Sequence, residues 1–268
     1  MKLTSKNYYG KNANVSYMSV SQFKNFLKCE ACALAELNGE YKRDYSQALL
    51  LGSLVDELLT GTKKSQDLFF EENQTRLFKK NGDPYADVAK ALNAVDAVKK
   101  QPLMMEYLSG KKQKIMTGTI AGVDFKIKMD SYQPNKYIAD LKYLKDFRSP
   151  NLFENAVKYW KYDLQMAVYR EIVRQNTGEI LPTYLVIVTK DDVPRVAVTE
   201  IKPWNLEESL ELVKTLAPRY QAIKNGEIEP ERCGVCDYCA ESTILTEPID
   251  SDLLGLSYKQ IKAARGEF

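Results

Sequence analysis

The chain has 268 residues, 44% apolar and 28% charged, which is enough for one large folded domain with a substantial core. Seventeen Tyr and nine Phe exclude an acidic or low-complexity disordered chain, and 38 Lys plus Arg against 36 Asp plus Glu leave only +2, so any basic surface must be local. There is no His, which removes imidazole bases, His-containing metal sites and His-based triads; any hydrolysis must run on carboxylates, Lys, Tyr and a bound metal.

The first 18 residues read as an irregular, polar and aromatic lead-in with no secretory signal, and the longest apolar run of interest is TYLVIV at 183–188, far short of a membrane span. A cytoplasmic protein is expected. Ser19 or Ser21 is placed to cap a helix whose apolar positions are Phe23, Phe26, Leu27 and Leu34. Residues 46–59 predict a second helix, strongly apolar yet carrying Asp56 and Glu57 near its end. Residues 61–84 read as a charged insertion, and 85–108 return to a helical pattern. The texture changes at 112, where three short strands are predicted, joined by a tight turn at Ala121-Gly122 and a looser one at Gln133-Pro134-Asn135. A long helix over 154–175, strands at Thr183–Lys190 and Arg195–Ile201, a helix over 205–224 interrupted or kinked at Pro218, and a Cys-rich knot at 233–239 complete the order. The result is a single α/β domain. A helical part (1–110) leads into a core with a mixed central sheet (111–204), followed by a C-terminal helix, Cys knot and tail (205–268). Phosphate-cradling GxGxxG or GxxxxGK[ST] loops are absent.

The chemistry concentrates on the central strands. Asp130 ends the second of them, and Asp140 and Lys142, two apart on the third, project from one face. Neighbouring strands lie about 5 Å apart, so Asp130 and Asp140 are within reach of one hard divalent ion. Lys142 would then orient or help deprotonate water, or neutralise charge developing on a phosphate. A D-x-K on a half-exposed strand is also a common solvated face. Here Ile138, Ala139 and Leu141 make the strand look buried, where charges need partners or a metal. On the next helix Tyr162, Gln165 and Tyr169 share a stripe, and the Gln amide either bonds a neighbouring helix or meets a DNA phosphate or the attacking water. Lys158, Lys161 and Arg170 nearby offer a local basic patch. Asp56 is a third candidate ligand, with Glu57 as its solvent-facing rival.

The blocks SVSQFKNFLKCE at 19–30, LLLGSLVDELLTG at 49–61, TGTIAGVDFKIKMDSYQP at 117–134, IADLK at 138–142, YDLQMAVYREIV at 162–173 and RCGVCDYC at 232–239, in this order, resemble the PD-(D/E)xK nuclease superfamily. The closer similarity is to phage and prophage proteins like the nuclease domain of exodeoxyribonuclease VIII. The resemblance implies a restriction-endonuclease-like core and a metal-dependent 5′-to-3′ exonuclease on double-stranded DNA, used in recombination and leaving 3′ single-stranded tails. Alternatives on the same scaffold are a structure-selective or nicking endonuclease and a non-catalytic DNA-binding module. By position, the resemblance makes Asp130 and Asp140 ligands of Mg²⁺ or Mn²⁺, Lys142 the catalytic lysine, and Gln165 and Tyr169 the helix motif beside the scissile phosphate. Asp56 stands where many relatives carry a metal-binding His, which weakens the preference for Mn²⁺. The resemblance also implies a homo-oligomer, ring-shaped in some relatives, and a single-strand annealing protein as partner.

Cys233, Cys236 and Cys239 form a C-x2-C-x2-C run, and Cys29 and Cys32 lie some 200 residues earlier. Tight thiolate spacing fits a metal or an iron–sulfur cluster better than a disulfide, and reduced packed thiols are the alternative. Some superfamily members staple their termini with one N-terminal and three C-terminal cysteines around such a cluster. That likeness implies a [4Fe–4S] cluster, or zinc as the alternative, on Cys29, Cys233, Cys236 and Cys239, with Cys32 an ordinary buried thiol.

Overall fold

The computed structural model describes residues 2–43, 46–147, 155–244, 248, 250–253, 255–256 and 260. The chain divides into two compact units, one of Met1–Asp44, Thr119–Phe125 and Val213–Phe268, the other of Tyr45–Gly118 and Lys126–Leu212. Among the described residues no helix is long and apolar enough to cross a membrane.

The first unit opens with a short helix α1 (Lys11–Ser16) and the two-residue strand β1 (Met18–Ser19), where an irregular segment was expected. Ser19 caps α2 (Val20–Lys28), its hydroxyl accepting the Gln22 N–H at 3.2 Å. The helix expected to carry Phe23 through Leu34 breaks instead at Cys29, which leaves the helical region (φ −162°, ψ 110°) before α3 (Glu30–Asn38). The apolar spacing runs straight across that break, which is why periodicity misses it. Phe23 and Phe26 pack on Tyr220 with ring centroids 5.1 and 5.3 Å apart. Arg219 binds Glu30 through two bonds of 2.7 and 2.8 Å, and Lys224 donates to Asn14 O, Tyr17 O and Gln22 Oε1.

The second unit holds α4 (Gln47–Thr60), α5 (Lys63–Leu77), α6 (Ala86–Lys99), α7 (Pro102–Tyr107) and β4 (Tyr137–Leu144), with β2 (Lys111–Ile120) up to Gly118 and β3 (Val123–Gln133) from Lys126. The segment read as a charged insertion is therefore mostly a helix, α5. Its N-terminus is closed by a reciprocal Thr62–Ser65 capping box, and Lys63 pairs with Asp67 at 2.8 Å one turn on. The expected helix over 154–175 is two, α8 (Ala156–Tyr159) and α9 (Tyr162–Thr177), separated where Lys161 takes φ 54°; residues 148–154 lie outside the described residues. Strands β5 (Thr183–Thr189) and β6 (Val196–Glu200) follow, and α10 (Pro203–Lys224) runs unbroken through Pro218. A last short helix, α11 (Asp237–Ser242), closes the described Cys region, and most of the tail beyond 244 lies outside the described residues.

The sheet is mixed, as expected: β3 and β4 are antiparallel, β4 and β5 parallel, β5 and β6 antiparallel, and β2 pairs β3. The β2–β3 turn takes positive φ at both Ala121 (49°) and Gly122 (79°), the conformation that suits a two-residue hairpin. Strand parity then sorts the side chains. Ala139, Leu141, Val186 and Val188 join Leu50, Leu54, Val88, Val95 and their neighbours from α4 and α6 in one buried core. Asp140 and Lys142 consequently point to the opposite face, toward α9. Gly118 lets β2 lie against that helix, since a Cβ there would stand 2.8 Å from Ile172 Cδ1.

Candidate active site

The β3–β4 register pairs Gln133 with Tyr137 and Ser131 with Ala139, one step short of Asp130 and Asp140. At that step the Leu141 N–H donates to Asp130 Oδ2 at 2.9 Å, so the Asp130 carboxylate is held beside the strand that carries Asp140. Asp140 is buried, 2% exposed. Its Oδ1 accepts a bond from Gln165 Nε2 at 2.7 Å. Its Oδ2 forms an ion pair with the Lys142 ammonium but accepts no hydrogen bond of proper geometry. The Lys142 Nζ also lies over the Tyr162 ring, 5.0 Å from its centroid.

The helix stripe is held by specific bonds. Gln165 Nε2 also reaches Tyr169 Oη at 3.2 Å, and that hydroxyl donates to Lys128 O at 3.0 Å. The break at Lys161 starts α9 so that Tyr162, Gln165 and Tyr169 face the sheet. Of the expected basic patch, Lys158 is paired with Glu208 at 2.8 Å. Asp163, buried on the same helix, has its carboxyl pushed up by burial against the pull of the Leu164 N–H and Ser209.

Asp56 lies near the end of α4. Its Oδ1 accepts the Thr60 hydroxyl at 2.7 Å, and its Oδ2 accepts Gln113 Nε2 at 3.3 Å. Glu57, the rival, bonds Ser65 at the start of α5. Thr60 and Gln113 are site residues that sequence reasoning missed. Gln113 sits in a run of lysines on β2 and takes φ 49°, and nothing in KKQK marks it.

The electrostatics tie these groups together. Burial raises the Asp130 carboxyl well above the usual carboxylate range, and the Asp140 and Asp56 charges add to that. Burial likewise raises Asp56, with Asp140 adding and Thr60 opposing. Burial alone would lower the Lys142 ammonium, but Asp140 and Asp130 outweigh it and the net shift is upward. Lys142 is therefore a resident cation. The three carboxylates share their field with the Lys142, Lys128 and Lys112 ammoniums, and Asp140 Oδ2 is a buried acceptor with capacity left. Hard oxygen donors with spare acceptor capacity fit Mg²⁺ or Mn²⁺. They do not form a closed cage. Among the described residues, only the cysteines make a group of three or more Cys, Asp or Glu whose ligand atoms all lie within 4.8 Å of one another.

That group is Cys29, Cys233, Cys236 and Cys239, in the first unit. Cys29 and Cys239 are buried, with Sγ atoms 3.7 Å apart, and Cys233 and Cys239 lie 3.9 Å apart. Cys32 stands outside the group, its Sγ facing Arg43 Nη2 at 3.2 Å.

Residues 19–242 match a family model described as a PDDEXK-like domain of unknown function, DUF3799. A comparison with curated proteins returned no significant match. Among solved structures, a crystal structure described as "Putative exonuclease" from Eubacterium rectale is 39% identical, covers 95% of this chain and 99% of its own, and superimposes with a TM-score of 0.88. A second, SSO0001, shares 14% identity over 85% of this chain and 97% of its own at a TM-score of 0.34, too low to bear on the fold. A carboxylate–lysine pair two apart on one β-strand, a glutamine from the following helix and a family match over most of the chain all point one way: the chain belongs to the PDDEXK-like domain family.

Proposed function

We propose that the chain is a divalent-metal-dependent deoxyribonuclease that hydrolyses phosphodiester bonds of double-stranded DNA, acting as a 5′-to-3′ exonuclease that leaves 3′ single-stranded tails. The observation that carries this reading is Asp140. It is buried, fixed on one oxygen by Gln165 and left with acceptor capacity on the other, directly beside a lysine that its own charge keeps protonated.

Asp130 and Asp140 would hold a Mg²⁺ or Mn²⁺ ion, with Asp56 at the edge of the same field. A bound divalent ion supplies positive charge that polarises the phosphate and makes a water acidic enough to attack at neutral pH. The remaining work falls to side chains. Gln165 fixes the orientation of Asp140. Tyr169, anchored on Lys128 O, fixes Gln165 in turn. Lys142 keeps its proton and offers the ammonium to the charge that grows on the phosphate oxygens, which is the stabilisation worth most in a site shielded from water. Tyr162 covers that ammonium and limits its rotamers. A homo-oligomer encircling duplex, with a single-strand annealing protein as partner, belongs to the same reading through the family resemblance.

The test is digestion of end-labelled linear, nicked and closed circular duplexes by purified protein with Mg²⁺ or Mn²⁺. The reading expects mononucleotides released from 5′ ends of linear DNA and intact closed circles. Cleavage of closed circles makes the protein an endonuclease, and binding without cleavage makes it a DNA-binding module.

A further inference from the structure

The four-cysteine group has its own chemistry, independent of the nuclease reading. Four thiolates on one tetrahedral ion, each about 2.3 Å from it, stand about 3.8 Å from one another. In a [4Fe–4S] cluster each thiolate binds a different corner iron, and the body of the cube holds the sulfurs about 6 Å apart. Here the four Sγ atoms all lie within 4.8 Å of one another, with two of the separations at 3.7 and 3.9 Å. The spacing matches one ion and is too tight for the cube.

Close packing of neutral thiols gives similar distances, so the backbone around the sulfurs decides between the two. The backbone amides of Val235 and Cys236 favour the thiolate at Cys233, that of Cys239 favours it at Cys236, and those of Cys32 and Cys233 favour it at Cys29. Amides aimed at sulfur stabilise thiolates, and neutral thiols have little use for them. Gly234, at φ 74°, makes the tight turn that brings two of these donors onto Cys233. Four thiolates on a divalent ion leave a double negative charge, and the Arg43 guanidinium lies close enough to feel the Cys236 charge.

We propose that Cys29, Cys233, Cys236 and Cys239 hold one tetrahedral zinc ion rather than an iron–sulfur cluster, and that Cys32 serves this site through its backbone N–H and not through its thiol. The ion would tie the α2–α3 junction to the segment before α11. Neighbouring bonds have the same effect: the Ala31 N–H donates to Glu231 O at 3.0 Å and the Glu231 N–H to Glu30 Oε2 at 2.8 Å.

The experiment is metal and sulfide analysis of full-length protein purified without chelator from cells grown with both zinc and iron. The expected result is one zinc per chain with neither iron nor acid-labile sulfide, and visible ligand-field bands of a tetrahedral thiolate site after exchange with Co²⁺. Cys32→Ala should keep full zinc content, and Cys236→Ser should lose it. Asp140→Asn, which disables the proposed nuclease, should hold the same zinc, so the two readings fail separately. Four irons with sulfide, a single iron, or a folded metal-free protein would overturn the assignment, and loss of zinc from Cys32→Ala would overturn the role given to Cys32.

Discussion

The carboxylate site and the cysteine group differ in almost every physical respect. The first is built from hard oxygens on the middle of a sheet, on side chains fixed by one another, and it leaves a buried oxygen with acceptor capacity unused. The second is built from soft sulfur at helix ends and a glycine turn, and its four Sγ atoms all lie within 4.8 Å of one another. An open set of ligands leaves positions for a substrate to occupy, whereas a closed one does not. The two proposals accordingly place chemistry in the first region and architecture in the second.

Four variants test that division. The largest effect is expected from Asp140→Asn, which should lower cleavage by about 1,000-fold or more, while zinc content and melting temperature stay near wild type. A parallel loss of zinc would mean that the two regions are not separable. Cys236→Ser is the converse. It should cost several kcal/mol of stability, because binding free energy at a structural site is folding free energy, and calorimetry is the measure. Whatever fraction stays folded should still cleave, and full stability would remove the architectural role.

A smaller effect is expected from Gln165→Ala. The residue acts through Asp140, so its loss should cost about 10- to 100-fold in cleavage, and raising the Mg²⁺ concentration should restore part of it. A loss that metal cannot relieve would place Gln165 on the substrate instead. The smallest change is one of stability. Asp130→Asn removes a carboxylate crowded by burial and by Asp140 and Asp56, yet its amide oxygen can still accept the Leu141 N–H. The metal-free protein should gain about 1 kcal/mol at neutral pH while losing activity. The folded state binds this proton more tightly than the unfolded chain does, so stability contributed by Asp130 is present at low pH and falls as pH rises through its raised titration. Urea melts at several pH values should show that the Asn variant lacks this component.

The two regions were also unequally legible in the sequence. Strand parity placed Asp140 and Lys142 on one face because a period of two leaves no freedom once Ala139 and Leu141 are buried. The supports of Asp56 were not legible. Thr60 follows it by one helical turn, but Gln113 comes from a strand 57 residues away and gives no local signal. Element ends failed for a related reason. Apolar spacing is blind to single residues that leave the helical region, such as Cys29 and Lys161, neither of which is a glycine or proline. The helix α5 was hidden because its charged residues suggest a loop, while a Thr–Ser box rather than a Thr–Glu one starts it. In the cysteine run the spacing pointed to a metal, but only three-dimensional sulfur distances separate one ion from a cube.

The most direct test of the account is the Lys142→Ala variant, measured in parallel for cleavage of linear duplex with Mg²⁺ and for duplex binding without it. On the proposed function Lys142 stabilises charge that exists only as the bond breaks, so cleavage should fall by about 1,000-fold while binding stays within about threefold of wild type. Cleavage at the wild-type rate would contradict the assignment of this site as the catalytic centre.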